Sequence, residues 1–366
     1  MRMSKKQIGL LTAAGVPILL LLLFFLLRRR PGAVDSWVKY ILTPLAQALG
    51  RLWSVVPFSV GELITVCFLL WGLLHLVFTV VQGVRRRSWE PVMWRLAALL
   101  TVVLWIGALL CWMWQAVYYA PTFTEQSGME VASYSMEELA QVTEYFARKA
   151  AEYSLLMERD ESGSFVGDRT EYMATAVEIY QSLEEEFPFL VMEAVRAKPI
   201  FFSRFQSKLG FTGMYFPFTG EANVNVDFPI SLFPATIAHE MAHQRMVASE
   251  MEANFIAIAA CTSGGDEVFL YSGYLLGLIQ LCNALYPEAP QRWYGIVEEY
   301  FTPELSRDWN ENSAYWAQLE SKLEDAAEQV YDTYLKSNDQ ELGINSYGAC
   351  VDLLVAYYGP RILGKE

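Results

Sequence analysis

Charge-free apolar stretches dominate the first third of the chain. Residues 8–27 are apolar throughout and are bracketed by Lys5-Lys6 and Arg28-Arg29-Arg30. Twenty helical residues match the roughly 30 Å hydrocarbon core of a bilayer. The basic start and Leu-rich centre also suit a secretion signal, but three arginines stand where small cleavage-site residues belong, so the stretch reads as an uncleaved anchor. A second block, residues 59–84, opens with the helix-start residues Ser59 and Glu62 and closes at Arg85-Arg86-Arg87. A third, residues 94–117, ends among Trp112, Trp114, Tyr118 and Tyr119, an aromatic belt of the kind found at membrane interfaces. Between the first two, Trp37, Ile41, Leu45, Leu49 and Leu52 recur near helical spacing with Lys39 and Arg51 off that face. This pattern predicts a helix over about 35–54 lying on the membrane surface.

From residue 121 onward the pattern is that of a globular domain. Ser135 and Glu138 form a capping-box signature for a helix reaching about residue 156. Residues 169–186 predict a second amphipathic helix, stopped near Pro188. Gly, Pro, aromatic and β-branched residues over 201–227 predict a small sheet or hairpin. Its alternating segment 216–226 reads as an edge to which an extended substrate adds by backbone pairing. Pro234 suits the first turn of a helix, and helical patterns continue over 250–262, 266–286, 303–335 and 346–358. The expected fold is therefore α-rich α+β: a three-helix transmembrane region over 1–120, then a domain with a small β-sheet over 121–366.

Charge divides the chain in the same way. Residues 1–117 carry 12 Lys+Arg against 3 Asp+Glu, and the remainder carries 15 against 38, for a formal net of −14 overall. An acidic rear argues against nucleic acid, which needs clustered cations. Basic residues flanking the spans weakly favour an N-terminus inside, which places the acidic domain outside the cytoplasm. Five cysteines without CxxC spacing (Cys67, Cys111, Cys261, Cys282 and Cys350) read as free thiols rather than a disulfide framework.

The chemistry lies in His239-Glu240-Met241-Ala242-His243. The chain has only three histidines, and the third, His75, falls in the second apolar block. Histidines four apart share a helix face and can hold one zinc ion, with Glu240 beside them as general base. A catalytic zinc needs a third protein ligand and an open position. The Gly and His/Asp continuation of metzincins is missing, since Met246 and Ser249 occupy those positions, so a glutamate remains, as in gluzincin-type proteases. Glu250 and Glu252 are the nearest. On an unbroken helix residue 250 would rise about 10 Å beyond His243, so the chain must turn between about 245 and 249, with Ser249 as the next N-cap. Glu250 is favoured because Asn254 follows one turn later and can accept a hydrogen bond from a ligand histidine, whereas Glu252 has Ile256 there; Glu252 stays the alternative. Tyr347, in Asn345-Ser346-Tyr347-Gly348, is the candidate for stabilising developing negative charge.

HEMAHQ followed by SEMEANF resembles an uncharacterised bacterial family of multi-pass membrane proteins with a zincin-like, gluzincin-type metallopeptidase domain. Tyr118-Tyr119 near Pro121, TGEANVN and the late SYG are similar too, so the resemblance covers most of the chain. It implies Zn2+ as cofactor, and it likens Glu250 and Asn254 to the ExxxD pair of gluzincins, with Asn replacing Asp. The expectation is a zinc metallopeptidase in the cell membrane, held by three spans, with a peptide or protein substrate and the lipid bilayer as partners. The alternative is a zinc-stabilised binding or sensor module without catalysis.

Overall fold

The computed structural model describes residues 4–30, 32–86, 89–340 and 347–364. It divides into two compact units, one of Met1–Ala46, Val60–Ala120 and Pro217–Thr219, the other of Gln47–Ser59, Pro121–Phe216 and Gly220–Glu366.

The first unit is built from long apolar helices. α1 (Lys5–Leu27) starts on a capping box between Ser4 and Gln7. α2 (Ala33–Trp37) runs through a π-helical turn (Val38–Leu42) into α3 (Thr43–Trp53), and α4 (Val60–Arg86) and α5 (Glu90–Met113) follow. An indole N–H has no water to bond in an apolar bundle, so it seeks a carbonyl. Trp105 and Trp112 of α5 donate to the carbonyls of Ala13 and Leu20 on α1, at 3.1 and 3.0 Å. His75 of α4 donates through Nε2 to the Arg95 carbonyl, 3.2 Å away, and is a packing residue of this unit. In α1, α4 and α5 at most 17% of the most apolar window is buried, so these helices present apolar side chains outward; all three are long and apolar enough to cross a membrane.

The second unit is a helical body with a small sheet. α6 (Phe123–Ser127) and α7 (Met136–Ser154) lead in, the latter on the Ser135–Glu138 capping box. Residues 169–186 do not form the single helix that the pattern predicts. They break into α8 (Arg169–Thr175), a 3-10 turn (Ala176–Glu178) and α9 (Gln181–Glu186). The break turns Tyr180 into the core, where its hydroxyl donates to the Ala238 carbonyl at 2.7 Å. The sheet holds β1 (Lys198–Pro199), β2 (Gly213–Phe216) and β3 (Glu221–Val224) in the order β1-β3-β2. β1 runs parallel to β3 and β2 antiparallel to it, with Gly213 opposite Val224 and Phe216 opposite Glu221. The segment read as an edge is thus the central strand, paired on both sides and buried on both faces, and β1 and β2 are the edges. α10 (Ser203–Ser207) links β1 to β2.

α11 (Phe233–Gln244), with Pro234 in its first turn, packs against β3 and is buried along nearly its whole length. α12 (Glu250–Ser263), α13 (Glu267–Glu288) and α17 (Tyr347–Leu363) complete the core with α7. α13 also has the length and apolarity of a span, but 72% of its window is buried inside this unit. It approaches α7 closely: a Cβ on Gly277 would lie 2.3 Å from the Phe146 ring. The 303–335 pattern resolves into α15 (Pro303–Ala317) and α16 (Lys322–Ser337), preceded by α14 (Pro290–Tyr300). Ser321 stops the run by accepting from the Glu324 N–H as the N-cap of α16. All five cysteines are free, and all but Cys67 are buried.

Candidate metal centre

The site is assembled at the end of α11 and the start of α12. α11 is fixed at both ends. The Ala235 N–H, in its first turn, donates to the Ser272 hydroxyl of α13 at 3.0 Å. At the other end the Met246 N–H donates to the His243 carbonyl and the Val247 N–H to the Ala242 carbonyl, at 3.0 and 3.3 Å. That paired pattern is a Schellman cap, which needs a left-handed residue and normally uses glycine. Met246 fills it at φ 60°. Arg245 clamps the same end: its guanidinium lies 3.6 Å from the Tyr180 ring centroid and 2.7 Å from Glu184. The chain then re-enters helix at Glu250, with Ser249 as N-cap.

This turn folds Glu250 back over the motif. His239 Nε2 lies 3.1 Å from Glu250 Oε2, His243 Nε2 lies 3.7 Å from it, and the two Nε2 atoms are 3.1 Å apart. The three donor atoms fall within 4.8 Å of one another. Tetrahedral zinc with bonds of 2.0–2.1 Å puts its ligands about 3.3 Å apart, so the spacing suits a zinc ion. Ligand chemistry agrees, two imidazoles and one carboxylate. His243 is oriented by Nδ1, which donates to the Val247 carbonyl at 2.7 Å. The capping turn therefore also orients the His243 ring, with Nε2 facing His239 and Glu250.

Asn254 makes no hydrogen bond to either histidine among the described residues; the acceptor for His243 is the backbone at Val247. His239 Nδ1 is buried without a hydrogen-bond partner among the described residues. Glu252 points elsewhere. Its carboxylate accepts from the N–H groups of Phe123 and Thr124 and from the Thr124 hydroxyl, at 3.0–3.1 Å, capping the start of α6. Burying it there requires those three donors. Tyr347 opens α17, but its side chain lies outside the described residues.

The residue that no motif marks is Tyr331. From α16, 81 residues after Glu250, its hydroxyl donates to Glu250 Oε1, the oxygen turned away from His239. It is one of 20 tyrosines, and nothing local in the sequence distinguishes it.

Glu240 lies buried against β2. A Cβ on Gly213 would stand 2.3 Å from its Oε1, so only glycine lets the edge strand approach this carboxylate. Glu240 Oε2 is buried with no hydrogen-bond partner among the described residues. Burial pushes the carboxyl up to about 7, against the opposing pull of His239 and His243. Burial would lower the His243 pKa, but the Glu250 carboxylate overrides it and lifts His243 to about 9. Burial likewise disfavours the Glu250 anion, and the two histidines reverse this, holding its pKa well below the usual carboxylate range. Groups so placed would give up a proton on binding a cation.

No curated protein and no solved structure matches the chain. The family model described as "protein of unknown function (DUF3810)" matches residues 37–355, and the chain belongs to that family.

Proposed function

We propose that this protein is a membrane-anchored zinc metallopeptidase with a gluzincin-type, zincin-like domain. The observation that carries the reading is the convergence of His239, His243 and Glu250 beside Glu240, whose buried carboxylate has an oxygen without a partner among the described residues. His239 and His243 would hold the metal through Nε2 and Glu250 through Oε2. Bound zinc supplies Lewis acidity, which acidifies water and polarises a carbonyl. Glu240 takes the proton from the attacking water and passes it to the leaving amine. Burial, which raises the Glu240 carboxyl above its ordinary range, favours its holding and then releasing that proton. The β2 edge at Gly213 offers an extended peptide a place beside Glu240. α1, α4 and α5 serve as the three spans, and the second unit lies outside the cytoplasm.

The test is Glu240→Gln in the full chain in lipid nanodiscs, assayed on a mixture of quenched fluorescent peptides. The variant should bind zinc as the native chain does and lose at least about 100-fold in hydrolysis, as expected for removal of a general base. Equal cleavage by the variant would overturn the mechanism. Zinc bound without cleavage by either protein would favour a non-catalytic zinc module.

A further inference from the structure

We propose that the aromatic turn at residues 201–205, with the connector around Val55, is a second lipid-contacting surface, carried by the second unit itself. Three phenylalanines fall within five residues here: Phe201 is 86% exposed, Phe202 48% and Phe205 55%. Aromatic side chains grouped this way on a surface mark a contact site. Phe201 meets Phe202 edge-on at 5.0 Å, so the rings project as a pair. Lys208, exposed, lies beside them, and so does Arg204, which is exposed and ion-paired with Asp227 at 3.0 Å. Exposed aromatics interleaved with cations fit the interfacial layer of a bilayer, where rings reach the acyl boundary and cations reach phosphates.

Chain geometry argues for lipid over a soluble partner. The connector Gln47–Ser59 belongs to the second unit. There it lies beside the segment leading into the turn: Arg51 pairs with Glu193 at 2.9 Å, and Lys198 Nζ donates to the Trp53 carbonyl at 2.6 Å. Val55, 82% exposed, and the exposed Phe58 are apolar residues of the same connector. Val60 begins α4. Even fully extended, five residues reach no more than about 18 Å, so Val55 stays near the boundary of whatever bilayer holds α4. The proposal rests on the reading of α4 as a span. Tethering by α4 keeps lipid at high effective concentration, so a few rings suffice for contact.

The test uses the full chain in nanodiscs containing anionic lipid, with Cys67→Ser removing the exposed thiol. Nitroxide labels are placed singly at Phe201→Cys and Val55→Cys, with Leu70→Cys on α4 and Tyr294→Cys on α14 as references, all exposed positions. Collision with oxygen is compared with collision with a water-soluble nickel chelate. Labels at 201 and 55 should favour oxygen several-fold over the label at 294, approaching that at 70. A label at 201 as accessible to nickel as that at 294, while 70 reports lipid, would overturn the proposal and leave the anchor standing. Exclusion of both reagents from 201 with dipolar broadening between chains would assign the surface to a second copy and also overturn it. Water at position 70 would overturn the anchor reading and this inference with it.

Discussion

Replacing Gly213 by alanine should unseat Glu240 specifically. The added Cβ would stand 2.3 Å from Oε1, 2.6 Å from Cδ and 2.7 Å from Cγ of that side chain. Carbon atoms pack favourably at about 3.5–4.0 Å, so the overlap is about 1 Å. Rotating the terminal carboxylate cannot relieve it, because Cγ itself is overlapped; χ1 or the strand must move. Overpacking of this kind costs about 1–3 kcal/mol. With Glu240→Ala already present, the three clashing atoms are gone. Gly213 does not have a positive φ, so alanine there should then stabilise by about 0.4–1 kcal/mol through the unfolded chain. A double-mutant cycle should give a coupling of about 1.5–4 kcal/mol. In thermal melts of the full chain, with a shift on the order of 2 °C per kcal/mol, Gly213→Ala should lower the midpoint in the native background and not in Glu240→Ala. Zinc binding should persist, because the three ligands are untouched. Equal shifts in both backgrounds would refute the placement of Glu240 against the edge strand.

Two further predictions address the turn and the ligand. Met246 holds a left-handed conformation that costs a side-chain-bearing residue about 1–2 kcal/mol; Met246→Gly should raise the melting midpoint and leave zinc affinity unchanged. Tyr331→Phe removes the hydrogen bond to Glu250 Oε1 and should weaken zinc binding about 10–100-fold in competition with a chromogenic chelator, the usual effect of losing an outer-shell partner.

The HExxH spacing was legible because two residues four apart on a helix must share a face, and the need for a turn before Glu250 followed from helix rise alone. What resisted reading was contact chemistry. Glu250 and Glu252 sit in the same helical turn, and only the position of α6 shows that Glu252 is engaged in capping Phe123 and Thr124. Residue type points to Asn254 as the acceptor, but His243 donates to the Val247 carbonyl, a backbone group present at any residue type. Tyr331 arrives from a distant helix. The β-element was legible, but its order was not: burial on both faces of β3 leaves no clean alternation to mark centre from edge. Some misses had readable signals. Ser321 and Glu324 carry the capping pattern that divides α15 from α16, and Pro290 marks the first turn of α14.

Zinc-edge X-ray absorption on the full chain loaded with one equivalent of zinc is the decisive measurement for the site of His239, His243 and Glu250. Stoichiometric binding is expected, with two imidazole nitrogens at about 2.0–2.1 Å, carboxylate oxygen and no sulfur, and loss of that signal in His243→Ala and Glu250→Ala. Failure to bind one equivalent, a sulfur-containing shell, or an unchanged spectrum in those variants would contradict it.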